Sequence, residues 1–199
     1  MNVLAIVGKP GAGKTSLVGA LMPRLGVGEP WAFETLRGVN FAEFGVSVFG
    51  VYDQGVFSGT DRLSMSVQPL AQKYLLWQAS LNTHANNCKS FIIFEGDRLG
   101  NVSFLNFCQQ WASLSIICLE ASQAVLNGRY TSRGSQQTQA WLRGRGTKIT
   151  NICKTFSTIT QVYQHNTPSD TDRLVTLILG MVKNGRTNKE ETSRATQSP

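Results

Sequence analysis

The sequence predicts an α/β protein, a doubly wound parallel sheet with helices on both faces, arranged as a three-layer sandwich. Three observations predict it. Short apolar runs alternate with stretches of helical apolar spacing along the chain. The first apolar run feeds a glycine-rich turn and then a helical pattern, at residues 2–22. Acidic residues follow several of the runs, at Asp53, Glu95, Asp97 and Glu120. A parallel sheet opens its ligand crevice at such strand ends.

The elements follow in order. Residues 2–7 (N-V-L-A-I-V) read as a short buried strand, and residues 16–22 as the first turns of a helix. Residues 41–52 are aromatic and β-branched and read as one or two strands, with Gly45 marking a bend or hairpin. Residues 53–66 read as a loop carrying G-T-D-R. Leu70, Tyr74, Trp77 and Leu81 give residues 67–86 a helical spacing. The run F-I-I-F at residues 91–94 reads as a buried parallel strand. A helix at 102–111, a strand at 114–119, an arginine-bearing segment at 121–145 and a strand at 159–163 follow. A helix at 170–182 closes the fold, with Asp170 or Thr171 as its N-cap. Residues 1–183 are thus expected to form one domain, and the polar residues 184–199 a disordered tail.

The bulk properties set bounds. The chain has 199 residues, of which 41% are hydrophobic, which suits one α/β domain with a full core. No run of 18 apolar residues exists, so no membrane span is expected. A strand beginning at residue 2 leaves no room for a secretory leader. Cys88, Cys108, Cys118 and Cys153 lack C-x-x-C spacing and read as reduced thiols. His84 and His165 form no zinc-ligand pattern. These features together point to a cytoplasmic protein. The net charge of +7 raises the expectation of a polyanionic partner.

The chemistry centres on Gly8-Lys9-Pro10-Gly11-Ala12-Gly13-Lys14-Thr15, which matches G-x-x-x-x-G-K-[ST] between a strand and a helix. The glycines let successive backbone N–H groups turn toward phosphate oxygens, and the helix N-terminus at Ser16 adds its partial positive charge. Lys14 can reach the β- and γ-phosphates, and the Thr15 hydroxyl can ligate Mg²⁺. The pattern therefore predicts a nucleoside triphosphate, ATP, as ligand. Glu95 and Asp97, in F-I-I-F-E-G-D-R, are both candidates to hold Mg²⁺ directly or through water. Arg98 can contact a phosphate or pair with Asp97. Asp53 follows the second strand and is a candidate general base for an acceptor hydroxyl. Asp61 and Arg62 lie on a loop at the same end, as substrate-binding or helix-capping residues. Arg129 and Arg133, four apart, share a helix face, and Arg143 and Arg145, spaced by glycine, suggest a flexible turn. A mobile lid carrying these arginines would neutralise a phosphoryl group in flight.

These residues resemble the P-loop kinases of the nucleoside and nucleotide kinase type over most of residues 1–180. The likeness consists of G-K-P-G-A-G-K-T, Asp53, E-G-D-R and the arginine-rich segment before the last strand. It implies that Asp53 serves as base and that the lid arginines contact phosphates. The stretch G-T-D-R-L-S-M-S-V-Q-P and the lid look more like small bacteriophage kinases. Among those are kinases that phosphorylate hydroxymethyluracil in DNA. The acceptor is therefore read first as a hydroxymethylated pyrimidine in DNA. Arg129, Arg133, Arg143, Arg145 and Lys148 would face its backbone, and Trp141 would stack on a base. A free nucleoside or nucleoside monophosphate is the alternative. A regulatory NTPase or translocase would use the same loop with water as nucleophile. The absence of N-K-x-D argues against a GTP switch.

Overall fold

The computed structural model describes residues 1–52, 58–84 and 90–187. Its strands are β1 (Asn2–Gly8), β2 (Glu29–Phe33), β3 (Leu36–Phe41), β4 (Val46–Phe49), β5 (Phe91–Glu95), β6 (Ser113–Glu120) and β7 (Thr160–Gln164). Its helices are α1 (Lys14–Leu21), α2 (Val67–His84), α3 (Val102–Trp111), α4 (Gln123–Ser132), α5 (Gln139–Thr155) and α6 (Pro168–Thr187). One sheet of seven strands runs β2-β3-β4-β5-β1-β6-β7. The five strands from β4 to β7 in that order pair in parallel, and β2 and β3 add an antiparallel edge.

Side-chain alternation builds the three layers. Val3, Ala5 and Val7 of β1, with Ile92 and Phe94 of β5 and Ile116 of β6, face α2, α3 and α5. Leu4, Ile6, Ile93, Ile117 and Leu119 point the other way, against Leu17, Val18 and Leu21 of α1 and Leu174, Val175 and Ile178 of α6. Both faces of the central strands are thus apolar, as covered parallel strands require. Among the described residues no helix is long and apolar enough to cross a membrane.

Several expectations change. The sheet is not wholly parallel. The predicted strand region at 41–52 is cut at Gly45 (φ 61°), with β3 and β4 on either side forming a hairpin, and β2 precedes it. Pro30 and Gly38 interrupt the alternation that would have marked β2 and β3. On α2 the buried stripe is Val67, Ala71, Tyr74 and Leu75, while Trp77 and Leu81 are about half exposed. Trp77 stacks on Phe33 of β2, and Tyr74 stacks on Trp31 at 4.7 Å.

α6 runs to Thr187, past the expected boundary at residue 183. Gly185, half-buried on the same side as Ile178 and Val182, lets the helix close on Asn2 and Phe91. Residues 188–199 lie outside the described residues, as does Cys88. The N-cap of α6 is Thr167 rather than Asp170 or Thr171. Its Oγ1 accepts from the Asp170 N–H at 3.3 Å, and Asp170 Oδ2 accepts from the Thr167 N–H at 3.0 Å. This reciprocal pair is a capping box.

Arg143 and Arg145 lie inside α5 rather than on a flexible turn. The helix tolerates Gly144 and Gly146 because Thr138 caps its start and Ile149, Ile152 and Phe156 anchor its far half in the core. A methyl group at Gly144 meets no atom within 4 Å. Gly144→Ala is therefore expected to stabilise the protein by about 0.5–1 kcal/mol, read as a rise of about 2–3 °C in Tm.

Candidate active site

β1 ends at the glycine-rich loop and α1 starts at Lys14, so residues 8–15 cross the carboxyl edge of the sheet. Gly8, Gly11 and Gly13 take φ of 155°, 77° and 92°, values that side chains resist. Gly13 is the N-cap of α1 and brings no capping side chain, and no acid lies in the first turn. The first-turn N–H groups, those of Thr15 and Ser16 included, are thus presented to an anion. Lys14 folds back over the loop, donating to Gly8 O at 3.0 Å and Lys9 O at 3.3 Å.

Glu95 ends β5 beside this loop and is 1% exposed. Thr15 Oγ1 donates to Glu95 Oε1 at 3.0 Å. Burial pushes the Glu95 carboxyl up to about 7; the Lys14 ammonium opposes the shift and the Asp61 charge adds to it. A buried carboxylate whose charge is disfavoured, next to a hydroxyl and the glycine-rich loop, fits a divalent cation. Mg²⁺ takes one or two carboxylates and completes its shell with phosphate oxygens and water. Among the described residues no group of three or more His, Cys, Asp or Glu could hold a metal on its own.

The two acids that the sequence left equivalent differ in position. Asp97 is bound by α5: Arg145 Nη1 lies 3.3 Å from Oδ2 and Lys148 Nζ 3.3 Å from Oδ1. Arg98 does not pair with Asp97; its guanidinium contacts the Met65 thioether. Arg145 also lies over the Trp141 ring at 5.0 Å.

The G-T-D-R loop supports the E-G-D turn. A methyl group at Gly59 would lie 1.9 Å from Glu95 Oε1, so only glycine admits the carboxylate. Thr60 donates to Glu95 O, and Asp61 Oδ1 accepts from the Asp97 N–H at 2.9 Å. Arg62 is exposed on the same 3-10 turn. Asp53 lies outside the described residues.

The structure places Arg129 against the loop: Nη1 donates to Gly11 O at 2.8 Å and Nη2 to His165 O at 3.1 Å. Arg133 caps the end of α4 and is exposed. Arg143 is exposed and lines a cavity of about 380 Å³ between α4 and α5, with Lys9, Gln123, Asn127 and Gln139.

Sequence reasoning missed Tyr130 and His165. Tyr130 Oη donates to Pro10 O at 2.7 Å. His165 is 2% exposed, with Nδ1 2.8 Å from Ala12 O and Nε2 2.8 Å from Thr171 Oγ1. The signal was present only as position: Tyr130 sits next to Arg129 on α4, and His165 directly follows β7.

Cys108, Cys118 and Cys153 are free thiols. Cys118 and Cys153 are hydrogen-bonded to each other, which pushes the Cys118 thiol up.

No protein-family model matches the chain, and no curated protein matches it. Solved structures with a general likeness include a sugar kinase from Janibacter sp. HTCC2649, at 11% identity and TM-score 0.47, covering 90% of this chain and 93% of that one. A gluconokinase from Sinorhizobium meliloti 1021 aligns at 12% identity and TM-score 0.45, covering 99% and 98%. A shikimate kinase from Bacteroides thetaiotaomicron aligns at 14% identity and TM-score 0.41, covering 92% and 98%. At these identities and scores the site itself has to carry the functional reading.

Proposed function

We propose that this chain is an ATP-dependent P-loop kinase that transfers the γ-phosphoryl group to a hydroxyl of a small molecule, with a nucleoside or nucleoside monophosphate as the favoured acceptor class. The observation that carries this reading is the Thr15–Glu95 contact of 3.0 Å beside Lys14 and the glycine loop. In this reading the loop N–H groups and Lys14 hold the β- and γ-phosphates. Thr15 and Glu95 would hold Mg²⁺, which would supply charge neutralisation to the nucleotide phosphates. Asp97 joins the end of β5 to α5 instead of facing the metal.

Two features favour a small acceptor over DNA. Arg145 and Lys148 are engaged by Asp97, and Arg129 by loop carbonyls, which leaves less of the basic stretch for a phosphate backbone. The cavity of about 380 Å³ beside Lys9 is of small-molecule size. Arg133 and Arg143 are the candidates to meet the acceptor or the moving phosphoryl group.

Transfer of ³²P from ATP to a panel of nucleosides, nucleoside monophosphates and hydroxymethyluracil-containing DNA tests the reading. Labelling of a free nucleoside or nucleotide supports it. Labelling of DNA alone, with steep salt dependence, would move the acceptor to the nucleic acid, as the +7 charge suggested. Phosphate release with no acceptor labelled would make the chain an NTPase. Asp53 keeps the role of general base in this proposal. Asp53→Asn is expected to lower turnover by about 10²–10⁴ while ATP affinity stays within about twofold. Equilibrium ATP binding and initial rates, measured together, check this.

A further inference from the structure

Every peptide carbonyl of the phosphate loop from Gly8 to Gly13 has a hydrogen-bond donor. Lys14 serves Gly8 and Lys9, Tyr130 serves Pro10, Arg129 serves Gly11, His165 meets Ala12, and the Leu17 N–H serves Gly13. Three of these donors come from far along the chain, 118 to 153 residues away. Two of the three rings or guanidinium groups also press on glycines. A methyl group at Gly11 would lie 2.8 Å from the Tyr130 ring, and one at Gly13 would lie 2.3 Å from the His165 ring.

A trans peptide is planar, so its C=O and N–H point in opposite directions. Holding the Pro10 carbonyl outward aims the Gly11 N–H inward. Holding the Ala12 carbonyl outward does the same for the Gly13 N–H. Inward N–H groups are what make an anion nest. Left to itself, a loop with glycine at 8, 11 and 13 would sample many other conformations, because glycine is permissive.

We infer that His165 and Tyr130, with Arg129, act as positioning residues that clamp the outward carbonyls of the loop and so pre-aim its N–H groups at a β-phosphate. His165 is the deepest of the three. Its Nδ1 reaches the loop while its Nε2 is fixed by Thr171 on α6, so the ring orientation is set from behind. Second partners of this kind hold a functional group within the narrow tolerance that binding demands. This inference rests on the phosphate-binding reading of the loop.

The test compares two amides at position 165. Asparagine carries an N–H near the place of the ring Nδ1, within reach of Ala12 O; glutamine carries its N–H near the place of Nε2. Affinities for Mg²⁺·ADP and for AMP are measured by calorimetry on the full chain, with parent, His165→Asn, His165→Gln, Tyr130→Phe and Lys14→Ala. A clamp acts on the β-phosphate, which AMP lacks. His165→Gln and Tyr130→Phe are expected to weaken ADP about tenfold and several-fold, with AMP changed less than twofold. His165→Asn is expected to stay within about threefold of the parent for ADP. Equal ADP affinities for His165→Asn and His165→Gln would overturn the clamp, as would equal losses for ADP and AMP. If Lys14→Ala loses ADP affinity while the others keep it, only the clamp fails. If the parent binds ADP no tighter than AMP and Lys14→Ala changes nothing, the phosphate-loop reading fails with it.

Discussion

Lys14→Ala is expected to leave a folded protein whose turnover has dropped by about a hundredfold or more. The ammonium lies 3.0 Å from Gly8 O and 3.3 Å from Lys9 O, over the loop and outside both apolar clusters. Its removal costs little packing. Under the proposed function it deletes a side-chain cation that would meet the phosphates, where negative charge grows as the bond to the γ-phosphoryl breaks. In a partly water-excluded site such a charge is worth several kcal/mol in the barrier. Initial rates at saturating ATP, beside circular-dichroism melts, check both halves. Activity within a few-fold of the parent would remove the phosphate-loop assignment.

Glu95→Gln is expected to act in opposite directions on stability and turnover. The Glu95 carboxyl titrates near 7 in the folded chain because burial disfavours its charge, against an ordinary value of 4.5. A raised acid pKa means that folding binds protons, so stability falls as pH rises from the unfolded value to the folded one. Above pH 7 the folded protein carries the full cost of a buried charge, about 3 kcal/mol. Glutamine removes that charge and can still accept from Thr15. The variant should therefore melt several degrees higher than the parent at pH 8 in EDTA, and the gain should vanish near pH 4.5. Its Mg²⁺-dependent turnover should fall by about a hundredfold or more. A melting temperature unchanged at pH 8 would show that the carboxylate is not strained by burial.

The strand, glycine-rich turn and helix of β1 and α1 were legible because their information is local: spacing, glycines and the flanking periodicity all fall within residues 2–22. The central strands were legible for a related reason. A strand covered on both faces reads as an unbroken apolar run, as in F-I-I-F of β5. The hairpin of β2 and β3 was not, since Pro30 and Gly38 disguise strands that are held by pairing and by the aromatic stack of Trp31, Phe33, Tyr74 and Trp77. Nor could sequence separate Glu95 from Asp97. They stand two residues apart, and what distinguishes them is distant: Thr15 meets one, Arg145 and Lys148 the other. His165 was invisible as a loop partner because 153 residues separate it from Ala12. The glycines of G-R-G suggested a turn at Arg143 and Arg145, but burial of the next two turns overrode that local preference.

The position of β1 also shapes how the chain is made. β1 is synthesised ahead of the other six strands of its sheet, yet its neighbours are β5 and β6, which begin at Phe91 and Ser113. At about 5–20 residues per second, this apolar strand waits on the order of ten seconds for its first partner. During translation it is an apolar segment that only α1 can begin to cover, with no strand to pair with. A nascent chain arrested before residue 91 is then expected to engage a holding chaperone, and one arrested well past residue 120 to release it, so that the glycine-rich loop is among the last parts of the molecule to take its shape.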